Sequence, residues 1–240
     1  MTQEQLDDLV ALLDLEPIEV DYFRGRSPAV SLQRVFGGQV AGQALVAAGR
    51  TVPEGRAVHS LHAYFLVGGD PTVPILYTVD RMRDGRSFSA RRVIAVQHGR
   101  PIFALSASFH VGEAGLDHQD AMPEAPDPER LPPVQEVLAP YEDVLGTWWT
   151  RPRPFDLRYV GEHPWVARQR GGPQPARSQV WMRAAGRLPD PALLHVCALA
   201  YASDLTLLDS VLLAHGRSWG EPGVTGASPR ALDTDGASWS

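Results

Sequence analysis

The sequence predicts an α+β fold, an antiparallel sheet laid against a helix of small residues. Three observations carry that expectation. Arg34-Val-Phe-Gly-Gly-Gln-Val-Ala-Gly-Gln-Ala-Leu45 opens on paired glycines and continues in small and apolar residues, so it reads as a glycine-opened helix. Four strand candidates follow, and Asp84-Gly85 and His98-Gly99 between them supply the positive-φ residues that tight hairpins need. A strand-then-helix order then recurs late in the chain, at Gln179–Arg183 and from about Ala192.

The elements follow in order. Thr2 caps a first helix with Gln5 reaching back, and Leu6, Leu9, Val10 and Leu13 recur at helical spacing. Glu16-Pro17 ends it, because a residue before proline disfavours the α region. Ile18, Val20 and Tyr22 alternate with Glu19, Asp21 and Phe23, which predicts one strand. The central helix covers about 37–50, with Val40, Ala41, Ala44, Leu45 and Ala48 on its apolar face, and Pro53-Glu-Gly55 breaks it. The strands of the meander are Ala57–Leu66, Val73–Arg83, Ser87–Gln97 and Ile102–Val111. Met122–Pro133 is so rich in proline that no regular structure is expected there, and Trp148 and Trp149 are read as packing this linker down. Beyond it, Phe155–Tyr159 and Gln179–Arg183 read as strands, and a helix is expected from about Ala192 to Leu208. The expected units are 1–111, a linker over 112–150, and a second unit over 151–240.

Composition narrows the function. The 240 residues are 44% hydrophobic, enough for a sizeable core, and the formal charge of -6 argues against a nucleic-acid partner. All 22 basic side chains are arginine. A single cysteine, Cys197, excludes an internal disulfide, and its apolar neighbours mark it as a buried thiol rather than a nucleophile. The acidic start lacks the pattern of a signal peptide and no apolar run reaches the roughly 18 residues of a membrane span, so a cytoplasmic protein without a membrane span is expected.

Several ordered segments closely resemble the acyl-CoA thioesterase II family. They are Phe36-Gly-Gly-Gln-Val-Ala-Gly-Gln43, His59–Asp70, Asp84-Gly-Arg-Ser-Phe-Ser-Ala-Arg-Arg-Val93, Ala107-Ser-Phe-His110, Gln179-Val-Trp-Met-Arg183 and Ala200-Tyr-Ala-Ser-Asp-Leu205. The resemblance implies a double hot-dog fold, with a sheet wrapped around a central helix in each unit. It implies an acyl-CoA substrate, no cofactor, and a water oriented by a carboxylate, a hydroxyl and a carboxamide. The carboxylate is Asp204, and Ser228 stands where the family has threonine, shortly after Glu221-Pro-Gly223. The carboxamide has no counterpart, and Pro229–Ser240 resembles nothing in the family, so the second unit is expected to be incomplete. An exposed sheet edge would then favour a homo-oligomer.

The remaining candidates are weighed on their chemistry. Gly37 and Gly38 either aim backbone N–H groups at a thioester carbonyl or allow close packing. Gln39 and Gln43 share a helix face and serve either the ligand or a cap. Arg86, Arg91 and Arg92 surround a hairpin and suit coenzyme A phosphates, but Arg91 and Arg92 point to opposite sheet faces. The alternative is a solvated strand edge. His59 and His62, three apart on a strand, face opposite ways, so no metal site is expected. Gly216-Arg-Ser-Trp-Gly220 matches a nucleophile elbow but lacks the following helix and histidine, so it reads as a turn. The leading function is an acyl-CoA thioesterase, the alternative a non-catalytic acyl-CoA-binding remnant. A hydroxyacyl-thioester dehydratase is third, because the histidine–acid pair it wants is missing from the family motifs.

Overall fold

The computed structural model describes residues 3–28, 34–146 and 150–218. The chain forms two compact units; their described parts are 3–122 with 186–205, and 123–185 with 206–218. Residues 186–205, which the sequence places in the second unit, thus pack with the first half of the chain.

The larger unit begins with α1 (Gln3–Leu13), which buries Leu6, Leu9 and Leu13 along one face. Where the sequence predicts one strand over 18–23, the structure has a hairpin of β1 (Glu16–Glu19) and β2 (Tyr22–Gly25). The cause is Asp21, which adopts φ 63° and reverses the chain; Asp and Asn tolerate that region better than other side chains. Arg24 pairs with Glu16 across the hairpin through two hydrogen bonds of 2.8 and 2.7 Å. After α2 (Gly37–Gly49) come β3 (Ala57–Phe65), β4 (Ile75–Asp84), β5 (Phe88–Gln97) and β6 (Arg100–His110), within about three residues of the expected bounds. They form one antiparallel sheet in the order β1-β2-β4-β5-β6-β3, so β3 is an edge.

Strand alternation sets which side chains meet α2. β5 buries Ser89, Arg91, Val93, Ala95 and Gln97 and turns Phe88 and Arg92 outward. β6 buries Phe103, Leu105, Ala107 and Phe109 on the same face. α2 lies on that face with Val40, Ala44, Leu45, Val46, Ala47 and Ala48 buried. The opposite side of α2 receives α6 (Ala192–Ser203). A Cβ at Gly42 would meet the Cys197 carbonyl oxygen at 3.1 Å, and one at Gly49 would meet Leu193 at 2.5 Å. The small residues of α2 therefore admit a second helix as well as the sheet. Cys197 is fully buried in this contact and its thiol is pushed up to about 12 by burial, in keeping with a structural role.

In the smaller unit β7 (Phe155–Tyr159) pairs with β8 (Val180–Ala184). The proline-rich run holds one 3₁₀ turn, Pro128–Arg130, against expectation. Pro128 has no N–H to lose at the first position, and the Asp127 carboxylate accepts from the Glu129 N–H at 2.9 Å. Short helices α3 (Val134–Leu138), α4 (Glu142–Leu145) and α5 (Pro164–Gln169) follow, and of these α5 repeats the pattern, with Pro164 at its first position and the His163 side chain accepting from the Trp165 N–H. The helix expected to reach Leu208 stops at Ser203, and α7 (Asp209–Ala214) follows. Tighter three-residue turns, Leu205 N–H to Ala202 and Asp209 N–H to Thr206, bend the chain between them. Trp148 and Trp149 lie outside the described residues. No described helix is long and apolar enough to cross a membrane.

One buried cation ties the larger unit together. Arg91 is fully enclosed and donates to the Thr51 hydroxyl and carbonyl just past α2, at 2.8 and 2.9 Å, and to Asp84 at 2.8 and 3.0 Å. Ser89 and Arg91 hold the Asp84 carboxyl below its ordinary value. Replacing Arg91 by leucine is expected to cost about 3 kcal/mol in guanidinium denaturation, because several charge-assisted bonds are lost and buried acceptors are orphaned. Arg92→Leu, on the exposed face, is expected to stay within about 0.5 kcal/mol of the parent.

Candidate active site

The N-terminus of α2 lacks a cap of its own. Phe36 occupies the capping position and its side chain offers no acceptor. The acceptor comes from 166 residues further along the chain: Oδ2 of Asp204, just past α6, accepts from the Gly38 N–H at 2.8 Å. A carboxylate at this place satisfies one orphan donor and meets the positive end of the helix dipole. Among the described residues no donor is bonded to its other oxygen, Oδ1, and no acceptor takes the Gly37 N–H.

Asp204 is half-buried. Burial raises its carboxyl above the ordinary value, and the Gly38 N–H works in the other direction. Burial is the larger influence, so this acid is a stronger base than a surface aspartate. Aromatic rings stand on both sides. A Cβ at Gly37 would lie 2.7 Å from Asp204 Oδ2 and 2.8 Å from the Phe65 ring, and one at Gly38 would lie 2.5 Å from the Phe36 ring and against the Tyr201 carbonyl oxygen. Phe36 meets Tyr201 edge to face at 5.0 Å, and Phe65 rests on Phe103 at 5.0 Å. Carboxylate, open N–H and apolar walls converge at one helix end, an arrangement suited to holding a water beside a polarised carbonyl.

Gly37, Gly38 and Asp204 are brought together; Gln39, Gln43, Arg86 and Arg91 are not. Gln43 is completely buried, donates to the Leu12 and Arg26 carbonyls at 2.7 and 3.1 Å, and accepts from Tyr77 at 2.8 Å. Gln39 is buried too and donates to the Arg26 carbonyl and the Ser27 hydroxyl, both at 3.1 Å. Both glutamines hold the segment that precedes α2, which corrects a direct ligand role for Gln43. Arg91 is likewise corrected, since its guanidinium is committed to Thr51 and Asp84 and has no exposed surface for a phosphate. Arg86 is exposed in the β4–β5 turn. That turn sits at the Thr51 end of α2, a 13-residue helix and so about 20 Å from the Asp204 end. Ser228 lies outside the described residues. His59 packs by Phe88 and His110, and His62 by Tyr64.

Sequence reasoning missed Phe36, Phe65 and Tyr201 as walls, although all three stand within the motifs that marked the chain. It also missed a buried polar group in the smaller unit, where Tyr159 donates to Asp209 at 2.8 Å and its ring meets His163. Burial pushes His163 down to about 4, so it is neutral, and its Nδ1 accepts from the Trp165 N–H as the cap of α5. That cluster anchors β7 and α5 and reads as structural.

Comparison with known proteins gives a consistent result. Residues 25–110 match the family model described as acyl-CoA thioesterase N-terminal domain, and residues 153–228 match the one described as acyl-CoA thioesterase. The chain is 40% identical to human acyl-coenzyme A thioesterase 8 over 219 residues, 86% of this chain and 68% of that protein. It is 37% identical to acyl-CoA thioesterase 2 of Haemophilus influenzae, over 91% of this chain and 77% of that protein. Among solved structures it is similar to the acyl-CoA thioesterase II TesB2 of Mycobacterium marinum, with TM-score 0.67, 44% identity, and 87% and 71% of the two chains covered. A hot-dog protein from Alicyclobacillus acidocaldarius has TM-score 0.66 at 21% identity over 88% of this chain and 73% of that one, a likeness of fold alone.

The two glycines at the helix end separate by what surrounds them. Gly38→Ala drives a methyl group into the Tyr201 backbone, which cannot turn aside, and is expected to destabilise by about 2 kcal/mol despite the better helix propensity of alanine. Gly37→Ala meets only the ends of the Asp204 and Phe65 side chains, so its cost in a denaturant titration is expected to be the smaller of the two.

Proposed function

The chain belongs to the acyl-CoA thioesterase family, and on that footing we propose that it hydrolyses fatty acyl-CoA with a water held by Asp204. One observation carries the proposal: Asp204 Oδ2 is fixed by the Gly38 N–H while Oδ1 has no described donor. A carboxylate pinned through one oxygen presents the other in a fixed direction. A water bonded to Oδ1 is then both oriented and polarised.

The chemistry balances without a cofactor. Water attacks the thioester carbonyl carbon as its proton passes to Asp204. The oxygen of the tetrahedral intermediate gains charge beside the positive end of α2, where the Gly37 N–H has no acceptor among the described residues and can donate to it. Collapse breaks the C–S bond. The departing thiolate takes back the proton, giving free acid, coenzyme A and the ionised carboxylate. Ser228 remains the proposed hydroxyl partner of the water, on the family pattern alone.

The apolar walls offer an acyl chain its surface. Phe65, Leu66 and Val67 are 57%, 52% and 64% exposed at and just past the end of β3, with the Phe65 ring beside Gly37, and an acyl group would cover them. Arg86 keeps a proposed role only for the phosphates of an extended coenzyme A moiety, since its turn stands at the far end of α2. A cytoplasmic setting and self-association belong to the same reading. The outer edge of β3 has no strand partner among the described residues, and Leu61 beside it is 42% exposed. A monomer by light scattering at micromolar concentration would remove self-association from the proposal.

Asp204→Asn is expected to lower thiol release from decanoyl-CoA and palmitoyl-CoA by about 10²–10⁴-fold. Full activity in this variant would reject Asp204 as the base. In the parent, kcat/KM is expected to rise with pH through a midpoint above the ordinary carboxylate range, because the active form is the ionised one. Stability moves the opposite way. A carboxyl raised on folding binds its proton more tightly in the native state, so its contribution is intact below the unfolded value of 3.8 and is lost as pH rises through the folded one. Asp204→Asn is therefore expected to unfold at no lower denaturant concentration than the parent at pH 7 while its turnover collapses.

A further inference from the structure

Phe65 is more than half exposed, an unfavourable place for an aromatic ring unless the exposure serves something. One side of the ring rests on the buried Phe103 at 5.0 Å, tilted 55°. Its edge reaches the space beside Gly37 where a methyl group would touch both the ring, at 2.8 Å, and Asp204 Oδ2, at 2.7 Å. Ring edge and carboxylate oxygen thus face each other across the gap that the missing Cβ leaves. Phe65 is the last residue of β3, paired with Phe103 of β6, so the sheet fixes the ring's position. A side chain at position 37 would fill that gap.

We infer that Phe65 is a positioning residue for the proposed hydrolysis: its ring closes the Oδ2 side of the Asp204 carboxylate to water, confines that oxygen against the Gly38 N–H, and leaves Oδ1 as the only face open to the attacking water. The inference rests on the reading of Asp204 as the base. The aromatic ring is suited to the task because it is rigid and supplies a weakly positive edge, not a competing donor. A polar side chain here would bond the carboxylate and lower its basicity. An aliphatic one would exclude water with less reach.

The groups around Asp204 leave burial as the main influence on it. α2 carries no charged residue from Gly37 to Gly49. α6 brings Tyr201, the buried Cys197, and His195, which bonds the Pro189 carbonyl at the other end of the helix. On β3, His59, His62 and Tyr64 engage other rings of the unit. In the segment leading into α2, Arg34 runs along Gly68. Removing the Phe65 ring therefore acts on Asp204 chiefly by letting water in.

The test uses the full chain with aspartate carboxyl carbons ¹³C-labelled. The resonance missing from Asp204→Asn identifies the group, and its titration is followed in the parent, Phe65→Ala, Phe65→Leu and the neighbouring Tyr64→Ala. The Asp204 midpoint is expected to fall by about half a pH unit or more in Phe65→Ala, to return most of the way in Phe65→Leu, and to stay in place in Tyr64→Ala. The acid limb of kcat/KM with decanoyl-CoA is expected to move by the same amount, with kcat reduced about tenfold and KM changed less, since the defect lies in orientation. An unmoved midpoint in Phe65→Ala, beside an inactive Asp204→Asn, overturns this inference and leaves the function intact. Full activity in Asp204→Asn overturns the proposed chemistry, whatever Phe65 does to the titration. An equal shift in Tyr64→Ala would show a general loosening of β3 and also overturns the inference.

Discussion

The larger unit depends on how closely α6 approaches α2. Backbone-to-backbone approach of two helices requires that side chains be absent where they cross, and α2 meets that requirement with Gly38, Gly42 and Gly49. Each lies within a few ångströms of α6 atoms, two of them of its carbonyl oxygens. Glycine in a helix costs about 1 kcal/mol against alanine, so three of them are a considerable concession in local propensity. The return is one consequence for chemistry: the end of α6 arrives at the start of α2 at hydrogen-bonding distance.

That arrival explains why one aspartate serves both fold and site. The Gly38 N–H needs an acceptor that Phe36 does not provide. Asp204 supplies it, and the same bond fixes the carboxylate's direction. Two opposing influences then act on it. The helix end favours the ionised form and burial favours the neutral one, with burial ahead. A base for water needs this compromise, since a carboxylate lowered by too many donors would hold no proton, and one buried without any would not ionise near neutral pH.

The strands of the sheet were legible because alternation and turn chemistry are local. The meander strands follow from side chains that change face at every residue, and His98-Gly99 turns through positive φ as expected, whereas Asp84-Gly85 makes its turn without it. Asp204 was legible only through the motif around it. What the sequence hid were pairings across long separations. Arg91 and Arg92 look alike as neighbours, yet one is sealed against Thr51 and the other is in solvent. Gln43 resembles a ligand-facing amide until its three partners, Leu12, Arg26 and Tyr77, are seen around it. The β1–β2 hairpin was hidden because Asp21 has no glycine beside it to announce a turn. In each case periodicity told which side chains go inward, and nothing in it told which inward polar group would find a structural partner.

Adjacent glycines divide the labour at the start of α2. Gly38 spends its N–H on Asp204 and its lack of a side chain on the Tyr201 carbonyl, so both of its properties go to structure. Gly37 has no acceptor for its N–H among the described residues and leaves a gap shared by the carboxylate and the Phe65 ring, so both of its properties go to the site. A single glycine could not do both, because the donor that anchors the base is unavailable to a developing oxyanion. Pairing them lets one helix end hold the base with one N–H and face the reacting carbonyl with the next, which lies on the same turn and points the same way along the axis.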